Sequence, residues 1–247
     1  MLTIGVDLAA EPVRTAVAAL EWGGGGAVVR SLVLGASDDD VVAASREATT
    51  IGIDCAFGWP LEFAAFVSAH TRREIIAPRT LAGRDWRRRL AYRETDRAVK
   101  KVTKRWPLSV STDRLGMTAM RCAELLDAFA ATGEDVDRSG GGRLVEAYPA
   151  AALRLWGVDT TGYKTRPEAV ALAVEALRRA APWLVLPADA AALMARSDDA
   201  FDAVIAALNA RAHALGRTVP VPDELREAAQ AEGWIALPTC GLDELVG

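Results

Sequence analysis

The sequence predicts an α/β fold: a mixed sheet built in the order β-β-β-α-β, with a helical insertion after the fourth strand and helices through the C-terminal third. Three observations carry this reading. Short apolar runs rich in β-formers alternate with turn signals over the first 60 residues. Apolar residues then recur near helical spacing in most of the remaining chain. With 247 residues, 51% of them hydrophobic and 25% charged, the chain is too apolar to be disordered and long enough to bury a full core.

The elements follow in order. Leu2–Leu8 reads as the first strand, and Glu11-Pro12 turns the chain into a second over Val13–Leu20. Gly23-Gly24-Gly25-Gly26 makes a hairpin connection to a third strand, Ala27–Leu34, so the first three strands form an antiparallel meander. Asp38-Asp39-Asp40 supplies acids for the start of a helix reaching about Ala48, where negative charge suits the helix dipole. Thr50–Cys55 fits a buried strand returning beside the first. Pro60 can open a helix to about His70, and Thr118–Ala131 is a second amphipathic stretch. Arg143–Tyr148 reads as a fifth strand, with a helix from Pro149 to about Trp156-Gly157. Helices follow over Arg166–Ala181, over Asp198–Leu215 with Ser197 as N-cap and Gly216 as stop, and near Asp223–Ala231. No long linker divides the chain, so one domain over 1–247 with a basic helical insertion at about 60–142 is expected.

Composition narrows the chemistry. No apolar run reaches the roughly 18–20 residues of a membrane span. Met1-Leu-Thr-Ile-Gly-Val-Asp7 lacks a basic n-region, so a cytoplasmic location is expected rather than export. Cys55, Cys122 and Cys240 are too few and too scattered for a disulfide framework or a zinc site. His70 and His213 are read as incidental helix residues, and Cys55 as a small packing residue. Any metal must therefore rest on carboxylates. The net charge of −4 hides an asymmetry. Arg72–Arg105 holds 13 Lys+Arg against four acids, a net of +9, and the rest of the chain carries −13. Such a segment is either a solvated helical face or a patch for a polyanion, with Trp86, Tyr92 and Trp106 placed to stack on bases.

The acids stand at the ends of elements. Asp7 closes the first strand and Asp54 stands late in the fourth, both among residues of buried type. A buried carboxylate is costly unless paired, protonated or metal-bound. Parallel neighbouring strands would put the two within roughly 5–10 Å, a spacing that suits a divalent cation. Asp199 and Asp202 stand at i and i+3 of the Ser197-capped helix. Asp198 and Asp199 also serve as dipole partners there, whereas Asp202 lies too deep for that role. Glu146, near the end of the fifth strand, is a candidate fourth ligand or water-orienting base, or else a cap or an arginine's partner. Arg93 can grip a phosphate by a bidentate contact or pair with Asp96 on a helix face.

The β-β-β-α-β order with Asp7 and Asp54 on strands one and four resembles the RNase H-like fold. The Asp199-x-x-Asp202-Ala helix resembles the C-terminal acidic helix of RuvC-type Holliday-junction resolvases. Gly5-Val6-Asp7-Leu8-Ala9, Ile53-Asp54-Cys55-Ala56-Phe57-Gly58, Arg93-Glu94-Thr95-Asp96, Val145-Glu146-Ala147-Tyr148-Pro149, Ser197 to Ala203 and Glu232-Gly233-Trp234-Ile235 together resemble the DUF429 family of predicted RNase H-like nucleases. In that family a proline usually follows the strand-four acid closely, whereas here the proline is Pro60. The resemblance implies hydrolysis of phosphodiester bonds by two Mg²⁺ or Mn²⁺ ions, with Asp7 bridging and Asp54 and Asp202 each completing one metal site. Asp199 or Glu146 would be the fourth ligand or would orient water. Arg93, Asp96, Arg87, Arg88, Lys100 and Lys101 would grip a nucleic acid. A second copy of the chain is a further candidate partner. Two alternatives stand beside it: an actin-like nucleotide-binding ATPase or kinase, and a non-catalytic polyanion-binding protein.

Overall fold

The computed structural model describes residues 1–74 and 83–246. Residues 75–82, part of the basic segment, lie outside the described residues. The architecture is α/β, with a six-stranded mixed sheet in the order β5-β4-β1-β2-β3-β6. β1 (Leu2–Asp7), β2 (Ala16–Gly23) and β3 (Gly26–Leu34) form the antiparallel meander. β4 (Thr50–Asp54) lies parallel to β1, and β5 (Leu144–Glu146) parallel to β4. α1 (Asp38–Ala44) links β3 to β4, and a capping box between Ser37 and Asp40 fixes its start.

The second strand begins at Ala16 rather than Val13. Pro12, with a fixed φ and no N–H, opens a short 3-10 turn over Pro12–Arg14, and Thr15 closes that turn onto the Pro12 carbonyl at 2.8 Å. Two elements were not anticipated: β6 (Leu184–Val185), two residues on the β3 edge, and the helix Ala188–Arg196, which buries only Ala190 and Met194. The basic segment forms two helices, Arg84–Ala91 (α3) and Glu94–Thr103 (α4). The helix Leu61–Thr71 (α2) precedes them and Gly116–Ala131 (α5) follows. Beyond β5 come Pro149–Leu155 (α6) and Pro167–Ala180 (α7). Ala188–Arg196 is then α8, followed by Asp198–Ala214 (α9) and Arg226–Glu232 (α10). Among the described residues no helix is long and apolar enough to cross a membrane.

The pleat sorts the core into two layers. Ile4, Val6, Ile51 and Ile53 face α1 and α5, packing with Val41, Leu125 and Phe129. Ala16, Ala18, Leu20 and Trp22 face α6 to α9. α9 is buried all round from Ala200 to Ala210, as expected of a helix held between a sheet and other helices. Its alanines permit a very close approach to the sheet. A Cβ on Gly5 would lie 2.0 Å from the Ala203 carbonyl oxygen and 2.2 Å from the Ala207 nitrogen. One on Gly52 would lie 2.5 Å from the Ala206 oxygen. The helix backbone thus rests on two glycines of adjacent strands.

Because backbone atoms cannot step aside, Gly5→Ala is expected to lower stability by about 3 kcal/mol or more, the upper end of overpacking. Gly23→Ala, whose new Cβ meets nothing within 4 Å, should stay within about 0.5 kcal/mol. Urea denaturation of both variants checks the contrast.

Candidate metal centre

β1 and β4 end together. Asp7 is the direct partner of Asp54 in the parallel register, and the pleat turns both toward α9, on the side of Gly5 and Gly52. On the α9 side, the Ser197 hydroxyl caps the helix by accepting from the Ala200 N–H at 3.1 Å. That start places Asp202 one turn in, just ahead of the alanines that touch the glycines. Carboxylate oxygens of Asp7, Asp54 and Asp202 all lie within 4.8 Å of one another.

Three acids so close in a desolvated place resist ionising together. Burial raises the Asp7 carboxyl well above the usual range, and the charges of Asp54 and Asp202 add to the effect. Burial, then Asp202, pushes Asp54 up to about 7. Burial pushes Asp202 up to about 6, although Lys164 and the Tyr163 hydroxyl favour its charged form. Asp202 is only 1% exposed. It accepts from the Tyr163 hydroxyl at 3.1 and 3.3 Å and pairs with the Lys164 ammonium. Burial works against that ammonium, but Asp202 and Asp7 outweigh it and hold its pKa above lysine's ordinary value. Among the described residues, Asp7 and Asp54 accept no hydrogen bond from an N–H group or a hydroxyl. An all-oxygen donor set short of positive charge fits a hard divalent cation such as Mg²⁺ or Mn²⁺.

The other expected residues stand outside this trio. The Arg14 guanidinium holds Asp199 at both oxygens, at 3.1 and 2.7 Å. Asp198 lies 3.4 Å from Lys164 and 3.9 Å from Arg14. Glu146, in register with Ile53, shares that residue's face of the sheet, opposite Asp54. Arg93 donates to both its oxygens, at 2.8 and 2.6 Å, and the Phe57 N–H adds a third bond at 3.1 Å. Burial raises the Glu146 carboxyl, and Arg93 offsets this only in part. Arg93 is itself buried, and its remaining donors go to Asp96 and the Glu232 carbonyl. All five guanidinium donors are therefore engaged inside the protein, leaving none for a phosphate.

The Glu232-Gly233-Trp234-Ile235 motif serves this network. A Cβ on Gly233 (φ +91°) would lie 2.7 Å from a Glu146 oxygen and 3.2 Å from Arg93. The Glu232 carboxylate accepts from the Leu61 and Glu94 N–H groups, both at 2.8 Å, and so caps α2 and α4 at once. Arg87 and Lys101 are exposed on α3 and α4. Arg88 lies 3.9 Å from Asp85, and the Lys100 ammonium donates to the Lys104 carbonyl. Tyr92 stacks on Trp106, with centroids 4.1 Å apart, while Trp86 packs edge-on against Phe66. His70 lies against Phe66, and His213 pairs with Thr218 at 3.0 Å. Cys55 packs with Cys122 in the core facing α5.

Sequence reasoning missed Tyr163 and Lys164. They occupy the loop before α7, where no periodicity marks a residue, and the sole signal was an aromatic beside a base in a polar turn.

Residues 5–227 match the model of a family described as "Protein of unknown function (DUF429)". No curated protein and no solved structure matches the chain.

Two outcomes follow from the charges. Arg93→Met, which strands Glu146 and Asp96 without a counter-ion, is expected to cost about 3–5 kcal/mol in urea denaturation. The raised acids act in the opposite sense to a salt-bridged carboxylate. Between about pH 4 and 8 the metal-free folded chain binds more protons at Asp54 and Asp202 than the unfolded chain does. Their contribution to stability therefore falls as pH rises through that window. Melting in chelator should show a shallower fall for Asp54→Asn than for the native chain, and identical slopes would contradict the assignment.

Proposed function

The chain belongs to the DUF429 family, and from that premise we propose that it is a nuclease, hydrolysing phosphodiester bonds with the help of a divalent cation. The observation that carries the reading is the convergence of Asp7, Asp54 and Asp202 at the carboxyl ends of adjacent parallel strands. The strand order β3-β2-β1-β4-β5, with only β2 antiparallel to β1, supports an RNase H-like assignment. A bound Mg²⁺ or Mn²⁺ would supply a Lewis acid for a phosphoryl oxygen and a water of lowered pKa. Asp7, Asp54 and Asp202 would hold it through their carboxylates.

The chain's own groups would do the rest. Tyr163 holds Asp202 in one rotamer through its hydroxyl. Asp199 and Glu146, each clasped by an arginine, would hold Arg14 and Arg93 in place rather than bind metal. Arg87, Arg88, Lys100 and Lys101 would meet phosphates of a nucleic acid. Such contacts position a backbone without reading its sequence.

The test uses purified protein, Mg²⁺ or Mn²⁺, and labelled single-stranded, duplex and branched DNA and RNA. Cleavage should require the metal and fall at least about 100-fold in Asp7→Asn and in Asp202→Asn, with melting temperature retained. Full cleavage in either folded variant, or none with any substrate and metal, would overturn the proposal.

A further inference from the structure

A two-ion centre needs carboxylates to bridge the ions and further ones to complete each shell. Among the described residues, three carboxylates converge here. Those next nearest are engaged: Asp199 by the Arg14 fork, Glu146 by Arg93 on the other face, and Asp198 between Arg14 and Lys164. With all three acids ionised, as cation binding requires, Asp7, Asp54, Asp202 and Lys164 together carry a net charge of −2, which one divalent ion neutralises and two would invert.

Lys164 is held in place by its own loop. The residue is exposed, its side chain 42% accessible, yet its ammonium reaches Asp202 and lies 5.4 Å from the centre of the Tyr163 ring. The preceding residue, Tyr163, bonds the same carboxylate, so two consecutive side chains converge on Asp202. The loop is itself pinned. Asp159 accepts from the Thr161 N–H at 3.1 Å and from its hydroxyl at 2.8 Å, and Arg166 donates to the Thr161 carbonyl at 2.9 Å. Gly162, with φ +84°, makes the turn, and a Cβ there would lie 2.4 Å from Arg166.

Resting on the phosphodiesterase reading above, we propose that Lys164 takes the place of the second cation: the centre binds a single divalent ion, and the Lys164 ammonium supplies the other positive charge to the substrate phosphate. The two-ion arrangement implied by the family resemblance is then replaced by an ion and an amine.

Mn²⁺ titration by calorimetry, with electron paramagnetic resonance on the loaded protein, tests this without relying on turnover. The native chain should bind one Mn²⁺ and show no spin-coupled pair. Lys164→Gln should bind Mn²⁺ at least tenfold more tightly, or take up a second ion. At saturating Mn²⁺ its kcat should fall at least tenfold, and Lys164→Arg should keep one ion per chain. Two coupled ions in the native chain would overturn the inference and leave the nuclease reading standing. Unchanged affinity in Lys164→Gln, or tighter binding with full kcat, would also overturn it. No Mn²⁺ binding by the native chain would remove the metal reading itself.

Discussion

The contact on which the rest depends is the seating of one helix backbone directly on two glycines. Gly5 and Gly52 leave no room for a side chain beneath Ala203, Ala206 and Ala207. With larger residues on either side, the axis of α9 would stand farther from the sheet, and Asp202 would be carried away with it. The acids Asp7 and Asp54 come together through strand register alone. The third arrives only because helix and sheet touch through their main chains. Small residues that contribute little burial of their own therefore set the geometry of the most polar part of the molecule.

The buried and half-buried acids divide into two kinds. Glu146, Asp96 and Glu232 are matched by arginine or by backbone N–H groups, and their role is architectural: they join α2, α4, β5 and the C-terminal segment. Among the described residues, Asp7, Asp54 and Asp202 share one lysine and one tyrosine hydroxyl. The difference is a local shortage of positive charge, in a chain that gathers a +9 segment elsewhere.

Much of this was legible in the residues, for physical reasons. Asp7 and Asp54 stood out because strand alternation places an acid where a buried side chain belongs. Asp202 stood out because it lies too far along its helix to be explained by the dipole. The partners were less visible. The face on which Glu146 lies depends on the register of a three-residue strand, and a shift of one residue would move it across the sheet. Arg93 and Asp96 were readable as a pair, but their joint enclosure of Glu146 depends on chain segments 53 residues apart. Tyr163 and Lys164 lie in a loop that only the tertiary fold carries to Asp202. β6, at two residues, is too short to leave a pattern.

The double cap by Glu232 has a consequence for the order of assembly. Its two bonds close spans of 171 and 138 residues, so the starts of α2 and α4 gain their shared acceptor only after nearly the whole chain exists. At ribosomal speeds of about 5–20 residues per second, α2 and α4 would wait on the order of ten seconds for that anchor. During that interval the basic segment that contains α4 is nascent chain, cationic and without this anchor, beside a polyanionic ribosome.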